Sequence, residues 1–182
     1  MPTIAATTPY AWPYDGRFSP ARAALVVVGS EGVPPPLPTV AALAGPLLGA
    51  GGVVVQVTTA PPGRSPTRPS PRTGGTHRDH GDHHVAACGI DGFYGSPLDN
   101  LLRTLGRDQL LLAGAWLETS VHSTLRSAND RGYECLLVID GCTAYDPALL
   151  HASRSQVEMS GGIFGAVGET THILTALAAL AP

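Results

Sequence analysis

The chain has 182 residues, 43% of them apolar, which is enough for one domain with a real core. Its formal net charge of −3 is small and its 11 basic residues are scattered, so a phosphate-tracking surface is not indicated and no nucleic-acid partner is expected. Every basic residue is arginine, and a chain without lysine has no mechanism that requires a lysine amine.

No segment nears the ~20 unbroken apolar residues of a membrane helix. The opening MPTIAATTPYAWPYDG lacks the basic and apolar regions of a signal peptide, so no membrane partner and a cytoplasmic location are expected. Cys88, Cys135 and Cys142 are odd in number and show no CxxC spacing, which reads as reduced thiols. Cys135, inside CLLVI, reads as a small buried hydrophobe.

In chain order, residues 23–28 (AALVVV) predict a first buried strand, 38–48 a helix, and 53–57 (VVVQV) a second strand. A helix follows over 96–105, a strand over 109–113 (QLLLA), a helix over 117–130 and a strand over 135–139 (CLLVI). Residues 147–159 predict a further helix, 162–167 a weak strand and 170–180 a last helix. This alternation predicts a three-layer α/β/α, doubly wound, mostly parallel sheet, a single domain over 1–182, with ligands at the carboxyl ends of the strands.

Residues 59–84 break the pattern. TAPPGRSPTRPSPRTGGTHRDHGDHH holds one apolar residue among five prolines, four glycines and four histidines, and predicts a loop or lid outside the core. His77, His80, His83 and His84, interleaved with Asp79 and Asp82, have the chemistry to surround a divalent metal. Nothing in a loop converges those rings, so they read as weak candidates; no metal site and no cofactor is expected.

In GAWLETSVHSTLRSAND, Ser120 lies just past a glycine that closes a strand, in the first turns of a helix, where backbone N–H groups stabilise a developing anion. That is a nucleophile's place. His122 is no partner for it, because residues two apart on a helix point roughly 200° apart; it reads as a helix-surface or interface histidine.

Together with FYGSPLDNLLRTLGRDQLLLAG, SVHSTLRSANDRGYE, GYECLLVIDGCTAYDPALLHASRSQVEMSGGIFGAV and the leader PYAWPYDGRFSPARAALVVV, the chain resembles the isochorismatase-like cysteine hydrolases, nearest the biuret hydrolase-like amidase branch. The resemblance implies the three-layer α/β/α fold, assembly as dimers or tetramers, and a catalytic set of aspartate, lysine and cysteine. It places the aspartate base at Gly29, the lysine at Ala87 and the nucleophile at Ser120, so all three positions are substituted here. It also implies a cis peptide and an oxyanion pocket at the turn 114–117, with Trp116, Leu117 and Phe93 lining the ligand.

A thiol or hydroxyl needs a base and is helped by a nearby cation to become a nucleophile. Loss of a whole catalytic unit costs on the order of a millionfold in rate. The expected function is therefore non-hydrolytic: a small-molecule binder, or a structural or regulatory subunit in a homo-oligomer or beside an active homologue. The alternatives are a repurposed lyase, isomerase or cyclase in which Glu31, Asp91 or Glu118 supplies acid–base chemistry, and a residual serine amidohydrolase using Ser120.

Overall fold

The structure is a computed structural model that describes residues 3–30, 36–59, 77–79 and 82–180. Seven strands form one sheet in the order β3-β4-β2-β1-β5-β6-β7. They are β1 (Ala23–Ser30), β2 (Val53–Thr59), β3 (His77–Asp79), β4 (Asp82–Ala86), β5 (Gln109–Ala115), β6 (Glu134–Thr143) and β7 (Ala166–Gly168). All neighbouring pairs are parallel except β3–β4, the antiparallel edge.

The period-two alternation along β1 sorts the core into two layers. Ala24, Val26 and Val28 face the side covered by α2 (Leu98–Thr104) and α3 (His122–Asp130), with Leu98, Leu102 and Leu125 packed on them. Ala23, Leu25 and Val27 face α1 (Pro38–Gly49) and α5 (Thr170–Ala178) through Val40, Leu43 and Ile173. The amino-terminal arm closes this second layer with Ile4, Trp12 and Phe18, all fully buried. Helix α4 (Leu150–Glu158) follows a 3-10 turn, Pro147–Leu149, in which Ala148 N–H donates to the capping Asp146 carboxylate. The expected three-layer α/β/α architecture is the observed one.

Residues 59–84 differ from the expectation of a loop. Thr59 is the last residue of β2, β3 lies within the segment, and β4 begins at Asp82 and pairs with β2 from Val54 to Thr58. β4 is second from the sheet edge and has one face exposed, so DHHVA carries little of the continuous apolar signal that marks central strands. His83 and Val85 are buried while His84 and Ala86 are exposed. Residues 60–76 lie outside the described residues. Among the described residues no helix is long and apolar enough to cross a membrane.

The carboxyl ends of β1 and β5 approach closely. Gly114 has φ +123°, and a Cβ built on it would stand 1.9 Å from the Val28 carbonyl oxygen. Only glycine fits there. Gly106 also has positive φ, +65°, but nothing lies within 4 Å of its Cβ position. Gly114→Ala is expected to cost more than about 3 kcal/mol or abolish folding, and Gly106→Ala only about 1–2 kcal/mol, as measured by urea denaturation; equal costs would contradict the close approach.

Candidate functional site

A doubly wound sheet opens a crevice where its crossovers diverge. From β1 the chain crosses to β2 on one side and later returns to β5 on the other, so the divergence lies between β1 and β5. At their carboxyl ends stand Gly29, opposite Thr58 of β2, and the turn that follows Gly114. The Ala115–Trp116 peptide in that turn is cis.

After Trp116 the chain forms a π-helical turn, Leu117–Val121, in which the Trp116 carbonyl accepts from the N–H groups of Thr119 (3.2 Å) and Val121 (3.1 Å). This wide turn carries Ser120 back over the sheet, and α3 continues from His122. The Ser120 carbonyl accepts from the Thr124 hydroxyl at 2.7 Å, and Thr124 Oγ1 accepts from Gly92 N–H at 2.9 Å, tying the turn to the segment after β4.

The Ser120 hydroxyl is 1% exposed and lies 3.2 Å from Thr59 Oγ1. Thr59 Oγ1 in turn lies 3.0 Å from the Gly29 carbonyl oxygen. Thr59 has one proton for two neighbours. With that proton on the carbonyl, Ser120 donates its own to Thr59. Its chain of protons then ends on a peptide oxygen, which takes no proton at neutral pH. Ala87 stands beside this group, its N–H donating to the Thr58 carbonyl at 2.8 Å. The structure thus gathers Gly29, Thr59 and Ser120 at the carboxyl ends of β1 and β2, with Ala87 one strand further along, bonded to Thr58.

The candidate acids lie elsewhere. Asp91 accepts from Phe93 N–H (2.9 Å) and from the Ser127 hydroxyl (2.8 Å), two turns along α3 from Ser120. Glu118 Oε1 accepts from Asp146 N–H at 2.9 Å, and its Oε2 is buried without a hydrogen-bond partner among the described residues. Glu31 lies outside the described residues. Leu117 is fully buried, and Phe93 stacks on Tyr133 with centroids 5.8 Å apart, so both belong to the core beneath α3. Trp116 is half-buried and meets the exposed ring of Tyr145 edge to face, at 90° and 5.3 Å between centroids.

The remaining nucleophiles and ligands are also placed. Cys142 sits opposite Gly114 in the sheet, and burial pushes its thiol up to about 12; burial likewise pushes Cys135 far up, which leaves both unreactive. Cys88 is half-buried and lies 3.4 Å from the Gly95 carbonyl. Of the histidines once read as weak metal candidates, His83 and His84 occupy opposite faces of β4; His80 lies outside the described residues, and His77 is paired with His84 across β3–β4. Among the described residues no three potential ligands converge on a metal position. An apolar groove of about 730 Å³ lined by Phe18, Pro46 and Leu177 lies at the opposite, amino-terminal edge of the sheet and is not part of the crevice.

Sequence reading missed two residues of the site. Thr59 opens the polar segment in sequence, yet VVVQVTT is β-branched at every position but Gln56, a signal that extends the strand to it. Tyr145 follows the end of β6 in an irregular loop and has no periodic signal.

A protein-family model described as the isochorismatase domain matches residues 56–169. Similar solved structures include a cysteine hydrolase from Pseudomonas syringae pv. phaseolicola, with TM-score 0.71 and 17% identity over 89% of this chain and 95% of that chain. An isochorismatase family protein from Burkholderia thailandensis has TM-score 0.67 and 21% identity over 87% of this chain and 96% of that one. A nicotinamidase from Staphylococcus aureus has TM-score 0.62 and 15% identity over 82% of this chain and 99% of that one. The likeness to these structures is one of fold.

His122 lies inside the molecule rather than on a helix surface: it is buried between α3 and α4, with Nε2 2.9 Å from the Ser153 carbonyl oxygen. Burial pulls its pKa below the ordinary imidazole value, as does Arg126, against the smaller upward pull of the Ser153 hydrogen bond and Glu118. The unfolded chain therefore binds the extra proton first. The stability owed to neutral His122 is present above the ordinary value of about 6.5 and is lost as pH falls below it. The stability difference between wild type and His122→Gln is expected to shrink from pH 7.5 to pH 5, as read by thermal melts; a constant difference would contradict it.

Proposed function

The chain belongs to the isochorismatase family, and from that premise we propose that it is a non-hydrolytic member that binds a small molecule in the β1–β5 crevice. The wording of its motifs places it nearest the biuret hydrolase-like branch, and its Gly29, Ala87 and Ser120 stand where that branch carries base, lysine and nucleophile. We further propose that it assembles as a dimer or tetramer of its own chain, or beside an active homologue.

The observation that carries this reading is the hydroxyl chain Ser120–Thr59–Gly29 carbonyl. Acyl transfer by a serine needs a base within hydrogen-bond reach to take its proton as the bond to carbon forms. The partner of Ser120 is a neutral hydroxyl that is itself committed to a peptide oxygen. Asp91 and Glu118 are held by other N–H groups, and neither is hydrogen-bonded to Ser120. The arrangement satisfies buried polar groups, which is a structural use of the nucleophile's position.

Two measurements test this. Incubation with a panel of small amides, ureas and esters is expected to release product no faster than the Ser120→Ala variant does; turnover that disappears in Ser120→Ala would sink the reading. A double-mutant cycle reads the hydroxyl chain itself. Thr59→Val is expected to cost about 1–3 kcal/mol by leaving the buried Ser120 hydroxyl without its partner, and adding Ser120→Ala to it is expected to cost little more. Full additivity in urea denaturation would show that the two hydroxyls do not act as a pair.

A further inference from the structure

Three side chains, Trp116, Glu118 and Tyr145, come together near the carboxyl ends of β5 and β6. Ala115 pairs with Thr143 across these strands, so the next residues of each, Trp116 and the segment Ala144–Tyr145, stand side by side at the crevice rim. The rings of Trp116 and Tyr145 cross at 90° with centroids 5.3 Å apart. Two perpendicular aromatic planes make a corner: a flat molecule stacked on one face turns its edge to the other. Tyr145 is 74% exposed, so its ring is open to a ligand.

One carboxylate, that of Glu118, bridges the two ring-bearing segments. Asp146 follows Tyr145, and its N–H is held by Glu118 Oε1, two residues after Trp116. Glu118 Oε2 is buried without a partner among the described residues. Aromatic faces carry negative charge density, and carboxylates beside them add to it. An anion is repelled there, and a flat cation gains stacking, cation–π attraction and a carboxylate partner together. Among the described residues at the crevice floor, Gly29, Thr59, Ala87 and Ser120 carry no charge.

We infer that the corner formed by Trp116 and Tyr145, with Glu118 beside it, selects a planar organic cation. This rests on the small-molecule-binding reading of the crevice and names the class of ligand it takes. Trp116 and Tyr145 supply the stacking surface, and Glu118 supplies the charge preference.

The test is titration calorimetry with four probes of similar size: benzamidine, benzamide, benzoate and cyclohexanecarboxamidine. Benzamidine is expected to bind wild type at least tenfold more tightly than benzoate, and more tightly than benzamide and the non-planar cyclohexanecarboxamidine. Tyr145→Ala is expected to weaken benzamidine and benzamide about fivefold or more, with Tyr14→Ala, an exposed tyrosine on the amino-terminal arm, as an unchanged control. Glu118→Gln, which keeps an oxygen for Asp146 N–H, is expected to reduce the preference for benzamidine over benzamide while leaving benzamide binding unchanged. Benzoate binding as well as benzamidine, cyclohexanecarboxamidine binding as well as benzamidine, indifference to Tyr145→Ala, an unaltered preference in Glu118→Gln, or no binding of any probe each overturns the inference. Ammonia release from the same mixtures is read separately: benzamide hydrolysis that is lost in Ser120→Ala overturns the non-hydrolytic reading and leaves the corner standing, whereas failed binding without ammonia release overturns only the corner.

Discussion

At the carboxyl ends of β1 and β5 the two backbones come so close that a single methyl group on Gly114 would overlap the Val28 carbonyl. This contact fixes where β5 ends and how the chain leaves it. The cis peptide, the π-helical turn and the first turn of α3 follow within eight residues, and each depends on the strand end being held against β1. Because β1 is also the strand at which the crossovers diverge, the same contact brings Ser120 over the ends of β1 and β2, within reach of Thr59. Sheet topology and one missing side chain thus determine the place of the crevice before any polar group contributes to it.

A buried carboxylate and a buried ammonium are expensive to hold out of water and useful chiefly when they perform chemistry. Gly29 and Ala87 carry no ionisable group, so neither cost arises from them. The polar groups that remain, Ser120 and Thr59, satisfy one another and a main-chain carbonyl. Thr124 and Gly92 do the same for the Ser120 backbone. A site of this kind contributes to stability instead of storing strain, which is the opposite of the trade usually made at a catalytic centre. The fold retains the crevice because β1, β5 and α3 are core elements, whatever the crevice binds.

The central strands and the five helices were legible because buried parallel strands are continuous apolar runs and the helices repeat at their own period. The weak run over 162–167 contained the short β7. What was hidden had physical reasons. β4 is near the sheet edge and begins with Asp82 and two adjacent histidines, so its pattern resembles the polar segment before it. The π turn is one widened turn whose residues, LETSV, have the propensities of an ordinary helix, and only the tertiary approach of β5 to β1 distinguishes it. Gly29, Ala87 and Ser120 were picked out by family resemblance, whereas Thr59 has no motif and emerges only from the β1–β2 register, which pairs Thr58 with Gly29 and brings the next hydroxyl to the Gly29 carbonyl. Asp91 was near the site in sequence, but Phe93 N–H and the Ser127 hydroxyl claim its oxygens, whereas Glu118 gives one oxygen to Asp146 N–H and is not bonded to Ser120.

The rim and the floor of the crevice follow different rules. Floor residues sit at or over strand ends whose geometry the core dictates, and the polar groups they offer there are the Gly29 carbonyl and the Thr59 and Ser120 hydroxyls. Rim residues such as Tyr145 lie beyond the last paired residue of β6, where no ladder or packing constraint holds the side chain. An aromatic ring 74% exposed to water is not explained by the core, and its edge-to-face contact with Trp116 orders a surface that water would otherwise leave mobile. Recognition at this edge of the sheet therefore rests on residues that folding does not require. Those are the residues free to differ from one member of a fold to the next while the scaffold beneath stays the same.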